Sequence, residues 1–148
     1  MSILGAIVAG LVGTVVITLI MAMAPKMGMP KMDMVGMLGS MFGGENRALG
    51  LVIHLMMGAI FALIYAYLWS AGVGSVSVGS GAVFGIVHWL IVGLIMGGMP
   101  MMHAGIKSGA VEAPGVYVLK SGGVMAFMGG LVGHIIFGIV VALVYAAF

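Results

Sequence analysis

Two stretches of this sequence share one pattern, Gly50-x3-His54-x3-Gly58-x6-Tyr65 and Gly130-x3-His134-x3-Gly138-x6-Tyr145. Each residue of the first copy lies 80 positions before its counterpart in the second. Both copies lie in long runs without a charged residue, which predicts that both are transmembrane helices. Residues four apart share a face of a helix, so each His has a Gly one turn before it and another one turn after it. Such a face carries a ring nitrogen between two stretches of bare backbone, where a flat or bulky group could lie.

The composition is that of an integral membrane protein. Of the 148 residues, 64% are hydrophobic and only 5% are charged, whereas soluble domains carry about 25% charged residues. The absence of Cys excludes disulfides, thiolate metal sites and Fe–S clusters, and a formal net charge of +2 is too small to indicate nucleic-acid binding. The chain is rich in Gly (27) and Met (17). Gly suits close packing of membrane helices, but the Met excess has no such routine explanation.

The charged residues divide the chain into four spans. All of them lie in two windows, 26–47 and 107–120. The uncharged run between these windows is too long for one helix of ~20 residues, and it divides at the Gly/Ser-rich segment 70–81. The sequence therefore predicts one all-α integral membrane domain, 1–148, that is a four-helix transmembrane bundle. The predicted spans are 3–24, 48–69, 81–99 and 121–148.

The two halves of the chain also resemble each other outside the His pattern. A Leu-Ile-Met motif followed by Pro and Met occurs at 19–27 and again, 75 positions later, at 94–102. We therefore predict two tandem two-helix repeats, about 3–70 and about 81–148. Because each repeat has an even number of spans, both should run in the same direction, related by a pseudo-two-fold axis along the membrane normal.

The basic residues predict the orientation. Every Lys and Arg lies in loop 1, between the first two spans, or in loop 3, between the last two. The positive-inside rule then places loops 1 and 3 in the cytoplasm and both termini outside. An aromatic belt is expected at the outer interface; its members would be Tyr65, Tyr67, Trp69 and Tyr145.

Loop 1 contains the pattern of a short amphipathic helix. Pro30 suits a first helical position, and apolar residues follow it at helical spacing: Met34, Met37, Leu38, Met41 and Phe42. We expect this helix to lie at the cytoplasmic interface, with its Met residues on the lipid-facing side.

A resemblance supports this topology. The run Met27-Gly28-Met29-Pro30-Lys31-Met32-Asp33, followed by Met37-Leu38-Gly39 and a His-bearing span, resembles a family of small four-span membrane proteins of bacteria and archaea. The similarity extends over most of the chain. It implies an integral protein of the prokaryotic cytoplasmic membrane and implies no mechanism.

His54 and His134 are the leading candidates for a functional site, because an ionisable side chain within a membrane span is by default a functional-site hypothesis. The repeat places both rings at similar depth on opposite sides of its axis, as the axial ligands of a six-coordinate haem iron would be. Chlorophyll ligation has similar spacing, so the type of tetrapyrrole stays open. The alternative is that the His residues pair helices and the glycines serve packing. The glycines expected to make room for a cofactor are Gly50, Gly58, Gly130 and Gly138.

His88 is not part of the repeat, since Gly13 aligns with it. Counted from the predicted helix ends, His88 and His54 differ in height by about 10 Å, too far for one metal ion. A hydrogen bond from His88 to another helix is therefore favoured over a second site.

The methionines give a second hypothesis, which is Cu(I) binding or transport. Thioether sulfur and imidazole form a soft ligand set that prefers Cu(I). The alternative is that Met is an adaptable apolar filler. The candidate ligands are His103, Met99, Met101 and Met102 at loop 3, and Met27, Met29, Met32 and Met34 in loop 1.

Catalysis is poorly supported, and no catalytic residue is assigned. The three acids, Asp33, Glu45 and Glu112, are isolated in loops, so the spans contain no proton relay and no carboxylate-bridged metal pair. Small loops leave little capacity for independent function. We therefore expect no enzyme but a homo-oligomer or an accessory subunit of a larger membrane complex, for electron transfer or cofactor storage, with a purely structural subunit as the third hypothesis. Close helix contacts, within the chain or between chains, are expected at Gly93-x3-Gly97 and Gly129-x3-Gly133.

Overall fold

The computed structural model describes all residues, Met1–Phe148, and they form helices joined by turns. Three short 3-10 segments are Ala24–Met27, Met96–Met101 and Val116–Val118. The six α-helices are α1 (Ile3–Met23), α2 (Met34–Gly39), α3 (Arg47–Ser70), α4 (Val78–Ile95), α5 (Ala104–Lys107) and α6 (Leu119–Tyr145). With their flanking turns, α1, α3, α4 and α6 are long and apolar enough to cross a membrane. The predicted all-α chain with four membrane-length helices is confirmed, while the tandem repeat and the interfacial position of α2 stay predictions.

Polar side chains set the starts of three long helices. Ser2, Asn46 and Ser77 each accept a hydrogen bond from the backbone N–H three residues on, and so cap α1, α3 and α4. The Ser77 cap explains why α4 begins three residues before the predicted start of its span. α6 has no side-chain cap, and it begins after Val118, whose φ is 55°.

The four long helices form an open arrangement. α1 packs against α3 and α6, and α4 packs against α6, whereas α3 and α4 approach each other mainly through side chains. Glycines make the closest approaches: Gly10 of α1 lies on the Gly58 carbonyl of α3, and Gly85 of α4 lies on the His134 carbonyl of α6. The wide separation of α3 from α4 leaves space inside the bundle, and all four long helices line this space.

The bundle has two distinct ends. At one end, loops 1 and 3 are joined by backbone hydrogen bonds from Ala104 to Met41 (3.0 Å) and from Gly105 to Ser40 (3.1 Å). At the other end, the Ser2 N–H donates to the Tyr145 hydroxyl (3.0 Å), which joins the two terminal segments. We refer to these as the loop 1 end and the terminal end.

Two details of the predicted fold are wrong. In α2, Met34 and Met37 line an internal cavity rather than a lipid-facing side, because the apolar side of this helix is turned toward the bundle as α2 packs against α3. In the predicted aromatic belt, Tyr65 and Trp69 are core residues, 3% and 7% exposed. They lie one turn apart on the inward face of α3, and Tyr67, between them, points outward.

The predicted Gly pairs have other neighbours than helix backbone. A side chain at Gly93 would meet the Tyr117 ring, and one at Gly97 would meet Val116, so loop 3 packs against these two glycines. A side chain at Gly133 would meet no atom within 4 Å. Close helix contact within the chain is made instead at Gly10 with Gly58 and at Gly85 with His134, and contact of the predicted Gly pairs with another chain stays a prediction.

Candidate functional site

A cavity of about 620 Å³ lies between the four long helices and reaches both loops. Aromatic side chains, including Phe61 and Phe137, lie along the part nearer the terminal end, where they join the core around Tyr65. The opposite part is bounded by charged side chains at the loop 1 end. These are Lys31, Asp33, Glu45, Arg47 and Glu112. The cavity is thus polar at the loop 1 end and closed by aromatic rings toward the terminal end.

His54 lies on α3 and lines this cavity, and one of its ring nitrogens forms a hydrogen bond with α1. Its Nδ1 is 3.3 Å from the Thr18 hydroxyl oxygen, and that oxygen is 2.7 Å from the Thr14 carbonyl. Because the Thr18 hydroxyl gives its hydrogen to the carbonyl, its oxygen accepts a hydrogen from His54 Nδ1. A neutral imidazole carries one N–H, so the Nε2 of His54 keeps its lone pair.

His134 lies on α6 in the equivalent chemical state. Its Nδ1 is 2.8 Å from the Gly130 carbonyl oxygen one turn earlier. A carbonyl oxygen only accepts hydrogen bonds, so Nδ1 carries the hydrogen and Nε2 keeps its lone pair. The two duplicated histidines therefore have the same tautomer, although different elements enforce it.

His88, on α4, contacts His134, and the sequence did not predict this contact. The two ring centroids are 4.7 Å apart. α4 begins at Val78, three residues before the predicted start, so His88 and His134 lie at similar distances from the terminal end. The difference in height expected between His88 and His54 stays a prediction. The predicted hydrogen bond to another helix is confirmed, since His88 Nδ1 is 3.1 Å from the Tyr65 hydroxyl of α3.

All three Nε2 atoms are open to the cavity. None has a hydrogen-bond partner in the protein, and the only enclosed side-chain nitrogen or oxygen without a partner is Trp89 Nε1. The Nε2 atoms of His54, His88 and His134 are therefore not sealed by protein, and all three residues line the cavity. No group of three or more His, Asp or Glu side chains is arranged to hold a metal ion by itself.

The four glycines expected to make room for a cofactor all lie against neighbouring parts of the chain. Side chains built at Gly50, Gly58, Gly130 and Gly138 would meet, in that order, the Val35 carbonyl, the Thr14 hydroxyl, the Trp89 ring and the Gly81 carbonyl. Gly58 and Gly130 also line the cavity, so the role of the glycines beside a cofactor stays a prediction. Further free space next to His134 lies at Gly133, where nothing is within 4 Å of an added Cβ.

Only three of the eight predicted copper ligands line one cavity. His103 is 1% exposed; its Nε2 donates to the Met37 carbonyl (2.8 Å) and its Nδ1 accepts from the Ile106 N–H (3.1 Å). Both nitrogens are therefore used to join loop 1 to loop 3. Met29 packs on Gly129. Of the other candidates, Met32, Met34 and Met99 line the cavity, while Met27, Met101 and Met102 are about 80% exposed.

Sequence reasoning did not select several residues of the site. Thr18 positions His54, and Met57 and Met96 line the cavity. A signal existed for Thr18, because Thr14 and Thr18 are polar residues one turn apart in an otherwise apolar span. The two methionines gave no signal, since Met in a helix is most simply read as packing. A comparison of the chain with protein-family models, curated proteins and solved structures finds no match.

Proposed function

We propose that this chain is a membrane protein that holds a metal centre, as a haem-like tetrapyrrole or as a metal ion, between His54 and His134. One observation carries the proposal: both residues use Nδ1 to donate to a protein oxygen and keep the Nε2 lone pair at the same cavity. Metal-ligating His residues generally have this arrangement, in which the second nitrogen donates to an oxygen that fixes the tautomer and raises basicity.

The cavity supports the proposal by its size and surroundings. Its volume of about 620 Å³ is within the range of about 300–1,000 Å³ typical of ligand sites. Lys31, at the loop 1 end, is suited to pair with an acidic substituent of a tetrapyrrole, whereas Arg47 is already paired with Asp33. These features favour a role in electron transfer or cofactor holding, as an accessory subunit or a homo-oligomer in the bilayer, with loops 1 and 3 in the cytoplasm.

The test is the visible absorption spectrum of the protein purified from its native membrane, first oxidised and then reduced with dithionite, with metal analysis of the same sample. A haem-like centre gives a strong band that shifts on reduction, a chlorophyll-type pigment gives a band without a redox shift, and a bare metal ion is found by the analysis. Combined His54→Ala and His134→Ala substitutions should remove whichever centre is present.

The matched control is His103→Ala, which removes a buried His that does not line the cavity. This variant should keep the centre. Two results would overturn the proposal and favour a structural subunit. One is protein that is purified from its native membrane and contains neither a pigment nor a metal; the other is a His54→Ala and His134→Ala double variant that retains the centre.

A further inference from the structure

We infer that the metal is a soft cation, Cu(I), and that it is bound and guided by methionines that line the same cavity. This inference rests on the proposed function, because His54 and His134 remain the nitrogen ligands. It keeps Met32, Met34 and Met99 of the copper site expected from the sequence and replaces the other ligands. The donors are now those that one cavity brings together, and His103 is not among them.

The first argument is where the methionine side chains lie. The cavity is lined by Met32 and Met34 of loop 1 and α2, Met57 of α3, and Met96 and Met99 from the end of α4. These residues come from separate parts of the chain, yet the fold turns them to one space. Met34 is the informative one, because it faces this cavity although its helix could have turned it toward lipid.

The second argument is chemical. Leu or Ile would fill apolar space as well as Met does, but only Met adds a polarizable thioether. Two imidazole nitrogens with thioether sulfur form a soft, uncharged donor set, which selects Cu(I) among the biological metal ions. Zn²⁺ prefers four ligands of the Cys, His and carboxylate types, and no group of three or more His, Asp or Glu side chains is arranged here to hold a metal ion.

The third argument is the distribution of charge. All three carboxylates of the chain, Asp33, Glu45 and Glu112, line the cavity at its loop 1 end. Two cations, Lys31 and Arg47, are there as well, whereas the remaining charged residues are Lys side chains outside the cavity. Because Asp33 is paired with Arg47, the loop 1 end of the cavity has two further carboxylates beside one Lys, and this excess of one negative charge in a net-positive chain favours the approach of a cation. Cu(I) then binds without a change of oxidation state.

The test is competition for Cu(I) against a chromophoric Cu(I) chelator, under anaerobic reducing conditions, with the full-length protein in lipid nanodiscs. A cavity variant combines Met34→Leu, Met57→Leu and Met99→Leu, which keep side-chain volume and apolar character. A control variant combines Met27→Leu, Met101→Leu and Met102→Leu, three exposed positions that do not line the cavity.

We expect the control variant to bind Cu(I) as tightly as wild type and the cavity variant to bind it about tenfold or more weakly. X-ray absorption at the copper edge should show sulfur neighbours in the wild-type protein, a result that needs no variant to fold. Equal affinity of the cavity variant, or copper with no sulfur neighbour, would overturn the inference.

The outcomes separate this inference from the proposed function. The centre could be lost in the His54→Ala and His134→Ala double variant but bound normally by the cavity variant. This result would overturn the Cu(I) inference and leave the proposed centre between the two His residues intact. Cu(I) that is retained by the His pair variant overturns the proposed function itself, and with it the mixed nitrogen–sulfur site.

Discussion

At the scale of single residues, one hydroxyl group decides which nitrogen of His54 faces the cavity. Thr18 gives its hydrogen to the Thr14 carbonyl and therefore presents only an acceptor to His54 Nδ1. The Gly130 carbonyl does the same for His134. A side chain can be replaced and a carbonyl cannot, so the role of the tautomer is open to test at Thr18.

We expect Thr18→Val to weaken binding of the metal centre by about 10–100-fold, the usual effect of removing a hydrogen-bond partner of a metal-ligating His. Val keeps the shape of Thr but has no oxygen to hold His54 Nδ1. The measurement is a titration with Cu(I) and with haemin, and Thr18→Ser, which retains the hydroxyl, is the control. Val and Ser variants of equal affinity would show that the hydroxyl does not position His54.

His103 should behave in the opposite way to His54 and His134. It joins Met37 of loop 1 to the start of α5, because its Nε2 donates to the Met37 carbonyl and its Nδ1 accepts from the Ile106 N–H. His103→Ala leaves the Met37 carbonyl without this partner, so we expect a loss of about 1–3 kcal/mol in the free energy of unfolding. Denaturant titration measures this loss. The metal content per folded protein should not change. Loss of the metal from this variant would show that His103 is a ligand.

The sequence identified His54 and His134 because duplication made them visible, but it did not predict the contact of His88 with His134. That contact depends on where α4 begins, and the Ser77 cap places this start three residues before the predicted one. A shift of three residues along a helix is about 4.5 Å. Depth in a bundle is therefore predicted only as well as the helix ends are.

At the scale of elements, the long helices are held together by glycines that accept a neighbouring backbone. Gly10 of α1 lies on the Gly58 carbonyl of α3. An added methyl group there would meet backbone atoms, which cannot move away as a flexible side chain could. The α1–α3 pair should therefore be sensitive to the smallest possible enlargement.

We expect Gly10→Ala to lower the free energy of unfolding by about 1–3 kcal/mol through overpacking. Gly133→Ala is the matched control, because it is also a helical Gly but an added Cβ there meets nothing within 4 Å. This control should be neutral or slightly stabilising, since Ala is favoured over Gly in a helix by about 0.5–1 kcal/mol. Both are measured by unfolding in mixed detergent micelles. Equal stability of the two variants would contradict the assigned helix contact.

The ion pair between Asp33 and Arg47 connects the start of α2 to the start of α3. Two hydrogen bonds join the guanidinium to the carboxylate, at 2.6 and 3.0 Å, and they lower the pKa of Asp33 below its ordinary value of 3.8. A folded-state pKa below the unfolded one means that the pair stabilises the fold above the unfolded pKa. This stabilisation is lost as the pH falls through the folded pKa.

We therefore expect wild-type stability to fall more steeply than that of Arg47→Gln when the pH is lowered below about 4. Arg47→Gln removes the charge partner and leaves Asp33 free to cap α2 through the Gly36 N–H. The stability of both proteins is measured by thermal unfolding at a series of pH values from about 6 to below 4. Because the pair is largely exposed, the difference should be modest; parallel profiles would show that the pair contributes nothing to stability.

The elements themselves were largely predictable, because uncharged runs of membrane length and the charged windows between them are visible in any single sequence. The face that α2 turns inward was not. Periodicity shows that one side of such a helix is apolar, but lipid and the interior of a bundle are both apolar. Only the contacts of α2 with α3 decide between the two.

At the scale of the whole molecule, the cavity is asymmetric. Charged and methionine side chains line its loop 1 end, and aromatic rings close it toward the terminal end. The sequence predicts that loops 1 and 3 are cytoplasmic, and that orientation would open the cavity to the cytoplasm alone. A solute could then reach the His residues from one side of the membrane only.

The chain has no Cys, so single Cys substitutions can test this access directly. Gly133→Cys places a thiol in the cavity, at a position where a side chain meets no neighbour. A small, charged, membrane-impermeant thiol reagent should modify it in inside-out vesicles and not in right-side-out cells. Val76→Cys, in the exposed turn between α3 and α4, should show the reverse pattern, and Ala62→Cys, fully buried in the core, should remain unmodified in both.

These controls separate orientation from access. If Val76→Cys and Gly133→Cys are both modified from the same side, the cavity is open through the aromatic end, and the closed end described above is wrong. If they are modified from opposite sides but in the reverse sense, the orientation predicted from the basic residues is wrong, while the one-sided cavity stands. Bound Cu(I) should protect Gly133→Cys and leave Val76→Cys unchanged, because only the first position lines the cavity that also contains His134.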